Sequence, residues 1–380
     1  MHLLKEVRKI AVGISGGVDS AVSAYILSKK YETVGVFMKN WDLIDETGFC
    51  SVEKDLNDAQ EVCKLLDIPF YEANFVKEYW TEVFDDLISD YKNGLTPNPD
   101  ILCNKNIKFN RFIDFAFNKV NVNAIATGHY ARTVISDNFK PPGAKLLKAF
   151  DPIKDQTFFL SQISQHALCK TIFPIGNLLK SQVKHIARSI GLERFASKKE
   201  SMGICFIGPR NFKNFITEYI SPSKGNFIDI DSGKIVGQHI GKHSWTIGQR
   251  CHLSGFDDAY YIAIKTDGED ILVAKGHYHP ILFCDSLTTG PAHWVHSEPI
   301  NLSKGTFSCK FRFQHGKPLT NCSMYKLTNN NLFIKLESPL RALTPGQYAV
   351  FYKDNECLGS ARISHPGPSK YTLDVADIKL

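Results

Sequence analysis

The chain predicts an α/β amino-terminal region built on a doubly wound parallel sheet, then a small central β-rich domain and a carboxy-terminal β-barrel. Three observations carry this. Apolar strand-like runs alternate with helical patterns from Lys9 to about Leu192, the alternation fades in a stretch of small and charged residues, and everything beyond reads as short strands between turn residues. At 380 residues the chain exceeds what one hydrophobic core usually holds, and about 150 residues per domain suggests two or three domains. The expected boundaries are 1–208, 209–280 and 281–380.

Lys9–Ile14, Thr33–Met38, Phe70–Asn74 and Ala124–Thr127 are the expected parallel strands. The first runs directly into Ser15-Gly16-Gly17-Val18-Asp19-Ser20, and a helical segment follows. Gly16 and Gly17 can take φ > 0 and let backbone N–H groups converge on an anion, while the helix beginning near Asp19 aims its positive end at the same point. A pyrophosphate group suits such a loop. Gly-Gly turns are common, but Ser15, Asp19 and Ser20, all polar at a strand's carboxyl end, favour a site over a plain turn. A Walker A loop would need a Lys before its final Ser or Thr, and a dinucleotide fingerprint would need G-x-G-x-x-G; neither is present.

Further on, Phe109, Phe112, Ile113, Ala116 and Phe117 recur at helical spacing and read as core, and Lys180–Ile190 ends at Gly191, a plausible helix cap. Phe195–Arg210 loses periodicity and reads as a functional linker. Asn226–Ile230 and Lys234–Val236 flank Asp231-Ser232-Gly233, while Tyr260–Ile264 and Ile271–Ala274 flank Thr266-Asp267-Gly268, two strand-turn-strand signals. After Pro280, Phe307–Phe313, Leu332–Leu336, Tyr348–Tyr352 and Leu358–Ile363 suit a compact barrel.

Composition narrows the function. With 43% hydrophobic residues burial is ample, no run approaches the ~18 apolar residues of a membrane span, and Lys5, Glu6, Arg8 and Lys9 interrupt any signal-peptide stretch. A cytoplasmic protein without a membrane partner is expected. Ten cysteines with no C-x-x-C pair exclude a disulfide scaffold and a zinc ribbon. The net charge of +6 permits a nucleic-acid partner without requiring one. Two cysteines stand in unusual contexts. Cys103 follows Asn98-Pro99-Asp100, just after a Thr96-Pro97 turn, where a loop could expose its thiol near a helix amino end. Cys205 follows the basic pair Lys198 and Lys199. Cys50, Cys63, Cys169, Cys251, Cys284, Cys309, Cys322 and Cys357 read as small buried residues.

SGGVDS resembles the PP-loop of the ATP pyrophosphatase superfamily. The ordered set SGGVDS, NPDILCN (98–104), TGHYAR (127–132), DQTFFL (155–160), GICFIG (203–208) and GKHSWTIGQR (241–250) resembles the bacterial tRNA-specific 2-thiouridylase family across most of the chain. That resemblance implies an enzyme that replaces the 2-oxygen of the wobble uridine with sulfur, using ATP, Mg²⁺ and a protein-bound persulfide. It implies that Gly13, Ile14, Ser15, Gly16, Gly17, Val18, Asp19 and Ser20 hold the ATP phosphates, with Met38 and Gly128 as further nucleotide contacts. Asn98, Pro99 and Asp100 would meet the flipped-out base. His129, Lys154, Asp155, Gln156, Arg312, Phe313 and Gln347 would contact tRNA. Cys205 would carry the persulfide delivered by a sulfur-donor protein, Cys103 would be the nucleophile, and a disulfide between them would close the cycle. Such exchange needs Cα atoms within about 7 Å. Asp100 would orient the base or move its proton, and Asp19 is a Mg²⁺ ligand by type only. The chain departs from the family pattern at Lys199-Glu200-Ser201-Met202, Gly208-Pro209-Arg210 and Tyr260-Tyr261. Two other readings stay open: a PP-loop enzyme that adenylates a small carboxylate or carbonyl, and a tRNA-binding protein with a vestigial nucleotide site.

Overall fold

The computed structural model describes residues 7–42, 51–198 and 212–377. Its amino-terminal unit carries β1 (Lys9–Gly13), α1 (Val18–Ser28), β2 (Glu32–Lys39), α2 (Ser51–Leu65), β3 (Phe70–Asn74) and β4 (Ala124–Thr127). A hairpin, β5 (Arg132–Ser136) and β6 (Gly143–Leu147), precedes the short β7 (Thr171–Ile172). The parallel sheet runs β3-β2-β1-β4-β7. Ile10 of β1 opposes Thr33 on one side and Ala124 on the other. Side chains alternate across this central strand. Ile10, Val12 and Ile14 join Ala21 and Val22 of α1, whereas Ala11 shares the opposite core with Val34, Val36, Phe112 and Ile113. Both faces are therefore covered, as a doubly wound sheet requires. The chain moves outward from β1 to β3 and returns on the far side at β4, so the carboxyl ends of β1 and β4 flank the topological switch point.

The expected aromatic stripe is core: Phe109, Phe112, Ile113 and Ala116 are buried, and Phe117 is partly so. The segment before it corrects the sequence expectation. Instead of an exposing loop, a helix begins at Pro99, with Asn98 accepting the Ile101 amide at 3.3 Å as its cap and proline at its first position. Helical backbone continues through Pro99–Leu102, a π-helical stretch Cys103–Arg111 and Phe112–Lys119, with a local break at Phe109 (φ −120°, ψ 20°). Cys103 is consequently buried, 4% exposed, among Ile101, Ile107 and the sheet.

In the central unit, β8 (Gly225–Asp229), β9 (Ile235–His239), β10 (Tyr260–Lys265) and β11 (Ile271–Lys275) form a sheet in the order β10-β11-β8-β9. Tyr260, one of the departures from the family pattern, fills its core beside Phe227 and Ile262. The last unit contains β12 (Phe283–Pro291), β13 (His293–Trp294), β14 (Thr306–Arg312), β15 (Thr320–Lys326), β16 (Asn331–Arg341), β17 (Tyr348–Lys353) and β18 (Glu356–Pro366). The path β12-β16-β15-β14-β17-β18 closes because β12 also pairs β18, from Leu287 opposite Pro366 to Thr289 opposite Ile363. The barrel sheet is then extended by the β5–β6 hairpin, with Cys357 of β18 opposite Leu146 of β6.

Where barrel meets sheet, Arg312 Nη2 donates to Asp155 Oδ2 at 2.8 Å, and both side chains are almost fully buried. Thr157 Oγ1, the Ala149 amide and Tyr352 complete the cluster, the first two bonded to Asp155 and the tyrosine hydroxyl to Arg312. Removing one member of a buried pair strands the other charge. Asp155→Ala is expected to lower unfolding free energy by about 3–5 kcal/mol in urea titrations, and adding Arg312→Met should recover part of that loss. Additive losses in the double variant would contradict the pairing.

Candidate functional site

The crevice at the switch point is built by close backbone approach. Gly16 has φ +69°, and a Cβ there would lie 2.9 Å from the Asp55 carbonyl oxygen. Ser20 Oγ accepts the Ser15 amide at 3.2 Å and donates to the Gly17 carbonyl at 3.0 Å, which pins the loop around the start of α1. Gly17 caps α1 and has no side chain to accept from its leading amides, which leaves that positive helix end available to an anion. Gly128, immediately beyond β4, packs so tightly that a Cβ would stand 2.7 Å from Ser20 N. A Cβ on Gly13 would meet Met38 Cε at 3.0 Å. Gly13 with Met38, and Gly128 with Ser20, therefore lie close together at the carboxyl ends of β1 and β4, while Ile14 and Val18 turn into the core.

Two lysines complete the crevice. Lys180 Nζ lies 2.7 Å from each Asp19 carboxylate oxygen, and the Tyr130 hydroxyl donates to Asp19 Oδ1 at 3.0 Å. Lys198 Nζ bonds the Gly16 carbonyl at 3.2 Å, Asp55 at 3.1 Å and Asp58 at 2.8 Å. Burial alone would raise the Asp58 carboxyl, but hydrogen bonds from Lys198 and Arg194 outweigh it and hold it below the usual carboxylate value. Sequence reasoning missed Lys180. The available signal was a cation in a helix's first turn, where the dipole disfavours it.

The second cluster surrounds the start of the 99–119 helix. Asn98 Nδ2 donates to Gln347 Oε1 at 3.4 Å, and Gln347 Nε2 donates to the Thr96 and Pro97 carbonyls at 2.9 and 3.0 Å. Gly346, at φ +92°, lets this barrel turn touch Thr96 closely. Two expected tRNA-contacting residues, far apart in sequence, thus meet. Burial raises the Asp100 carboxyl above its ordinary value, with the Lys108 and His315 charges opposing. Burial, reinforced by Lys108, holds His129 well below 6.5, so its imidazole is neutral at pH 7. His129 Nδ1 lies 2.8 Å from Thr127 Oγ1, and its ring meets Phe109 and Phe173. Lys108 acts on both Asp100 and His129; neither it nor His315 carried a sequence signal.

Other expected sites are placed differently. Asp155, Arg312 and Phe313 are buried at 3%, 9% and 5% exposure. The Asp155 and Arg312 charges neutralise each other inside, so these three side chains offer no surface to a nucleic acid in this conformation. Lys154 and Gln156 remain half-exposed, and Gln156 Oε1 accepts the Tyr130 amide at 2.9 Å. Pro99 is buried at the helix start. Cys205 and the departures at 199–202 and 208–210 lie outside the described residues, as does Cys50. Of the cysteines assigned to the core, Cys63, Cys251, Cys284, Cys309, Cys322 and Cys357 are buried and Cys169 half-buried. Burial pushes Cys63 up to about 12 and Cys284 up to about 11, which leaves both protonated and inert. Among the described residues, no three His, Cys, Asp or Glu side chains gather to hold a metal, and no helix is long and apolar enough to cross a membrane.

Three family descriptions match successive segments: tRNA methyl transferase HUP domain over residues 8–209, tRNA methyl transferase PRC-barrel domain over 213–275, and aminomethyltransferase beta-barrel domain over 284–363. The chain is 50% identical to mitochondrial tRNA-specific 2-thiouridylase 1 of Drosophila melanogaster over 372 residues, 96% of each chain. It is 45% identical to the Homo sapiens protein of the same name, covering 97% of this chain and 93% of that one. It is 42% identical to tRNA-specific 2-thiouridylase MnmA of Staphylococcus aureus (strain JH9), covering 94% and 95%. With three family descriptions matched in order and full-length similarity to these proteins, the chain belongs to the tRNA-specific 2-thiouridylase family.

Proposed function

We propose that this chain is an ATP-dependent tRNA-uridine 2-sulfurtransferase that converts the wobble uridine to 2-thiouridine. The observation that carries the reading is full-length similarity to relatives named tRNA-specific 2-thiouridylases. The anion-holding crevice supports its nucleotide half. A uridine 2-carbonyl is a poor electrophile with no leaving group, so its oxygen must first be activated. In this reading the 2-oxygen attacks the α-phosphorus of ATP, an O–P bond forms, and the bond to pyrophosphate breaks. Gly13–Ser20 hold the phosphates, Met38 and Gly128 border the adenosine, and Asn98, Pro99 and Asp100 receive the extruded base. Asp100 orients the base or takes its N3 proton, a role suited to a carboxyl raised by burial.

Sulfur then displaces AMP. The terminal persulfide sulfur on Cys205 forms the new C–S bond as the C–O bond to AMP breaks, and Cys103 thiolate attacks the Cys205 sulfur to release 2-thiouridine and leave a disulfide. Equivalently, Cys103 first frees hydrosulfide from the persulfide. Either way a thiol reductant restores the pair and a sulfur-donor protein reloads Cys205. Because Cys103 is buried on its helix, the seam around it must open for this exchange. A Mg²⁺ would arrive on the phosphates and spread the charge on pyrophosphate; the described residues offer it no ready ligand set, because both Asp19 oxygens already hold Lys180. Lys154, Gln156 and Gln347 contact the tRNA and neutral His129 does so by hydrogen bonding, whereas buried Asp155, Arg312 and Phe313 reach it only if the barrel seam opens. Domain limits of 1–208, 209–280 and 281–380 fit this division of labour. The animal relatives' mitochondrial names make the mitochondrion, as well as the cytoplasm, a location for it.

The test is nucleoside mass spectrometry of tRNA incubated with protein, ATP, Mg²⁺ and a sulfide source. A gain of 2-thiouridine is expected; ATP turnover driven by a small carboxylate and indifferent to tRNA would favour another PP-loop activity. Cys103→Ser should abolish thiolation and leave ATP binding intact. Asp100→Asn should cut thiolation by about 10²-fold or more. Its Tm should hold or rise at pH 7, because a carboxyl raised in the folded state costs stability when ionised above its unfolded value, and Asn removes that cost. A fall in Tm with full activity would refute the assignment.

A further inference from the structure

We propose that Lys180 is a phosphate ligand of the crevice, held on Asp19 until nucleotide phosphates arrive and then stabilising the departing pyrophosphate. This rests on the reading of the crevice as an ATP site. Three features set Lys180 apart from an ordinary surface ion pair. Its side chain is only 12% exposed, and its ammonium contacts both oxygens of Asp19, which stands in the first turn of α1 where the helix end attracts an anion. Its own helix, Lys180–Ser189, is begun by a cation, which that helix's dipole disfavours. Its backbone amide is separately anchored to Asp151 Oδ2 at 3.0 Å, so the side chain can change partner without shifting the helix.

The charge balance explains the resting arrangement. Asp19 places a negative charge beside the site that must receive polyphosphate, and Lys180 cancels it. An ammonium has three N–H donors, so it can take a phosphate oxygen while still touching Asp19. As the 2-oxygen bonds to the α-phosphorus and the bond to pyrophosphate breaks, negative charge grows on the leaving group. A preplaced, largely buried cation meets that charge without reorganisation. Tyr130 keeps Asp19 in place throughout, its hydroxyl on Oδ1 and its ring 5.8 Å from Nζ.

Calorimetry with ATP, inorganic pyrophosphate and AMP, in chelator, on the full chain and its variants tests this. Lys180→Gln is expected to weaken ATP and pyrophosphate binding about 10–100-fold while changing AMP binding by less than about threefold, and Lys180→Arg should retain most of the affinity. Asp19→Asn breaks the same ion pair from the other side and should leave pyrophosphate binding unchanged or tighter. The turnover number for tRNA-dependent AMP formation should drop about 10²–10³-fold in Lys180→Gln. Equal weakening by Lys180→Gln and Asp19→Asn would mean the pair is only structural and overturn the proposal, as would wild-type pyrophosphate affinity in Lys180→Gln. Wild-type protein that binds AMP but neither ATP nor pyrophosphate would overturn it too, whereas failure to bind all three would remove the nucleotide reading itself.

Discussion

A charge pair withdrawn from water holds the two halves of the site in register. Asp155 and Arg312 belong to different units, and their 2.8 Å contact is sheltered by Tyr352 and Thr157. Such a pair gains little net stability over apolar packing, but it tolerates no misalignment, since either charge alone inside is costly. Its effect spreads outward. The carbonyl of Asp155 is bonded to His315, whose ring packs on Phe159, and the Phe159 carbonyl holds Asn104 beside Cys103. The barrel thereby fixes the helix that presents Asp100 and Cys103. A second clamp, Gln347 on the Thr96–Asn98 turn, sets where that helix begins.

The nucleotide crevice depends on backbone approach where the other cluster depends on side-chain burial. Gly16 and Gly128 leave no room for a β-carbon, and that lack of side chains brings the amides of α1 within reach of a phosphate. Lys180 and Lys198 lie on either side of the loop, one on Asp19 and the other on the Gly16 carbonyl. The loop is thus surrounded by compensated charge before any ligand arrives. In the second cluster Lys108 is felt by both Asp100 and His129, so those two groups share one electrostatic environment.

Much of this was legible in the residues themselves. The strands around β1 are short apolar runs whose two-sided burial leaves a plain signal, and the loop between β1 and α1 has a composition with few other uses. The start of the 99–119 helix was misread because Asn, Pro and Asp are turn formers, yet an Asn cap followed by Pro is also how helices begin. The burial of Arg312 was invisible because its partner lies 157 positions away and the pairing exists only once the barrel docks. The β5–β6 hairpin likewise looks like part of the first unit in sequence but hydrogen-bonds into the barrel sheet, since edge pairing with β18 is a tertiary choice. Lys180 opens a helix, a disfavoured place for a cation, but nothing in the sequence sets Asp19 beside it.

The central claim is that the uridine 2-oxygen leaves on the α-phosphorus of ATP. It is tested most directly by thiolating a tRNA whose uridines carry a heavy oxygen isotope at the 2-position and weighing the AMP released. The account predicts that the AMP carries the heavy oxygen, one label for each thiouridine formed. Unlabelled AMP, with the label found in water or still in the tRNA, would contradict it.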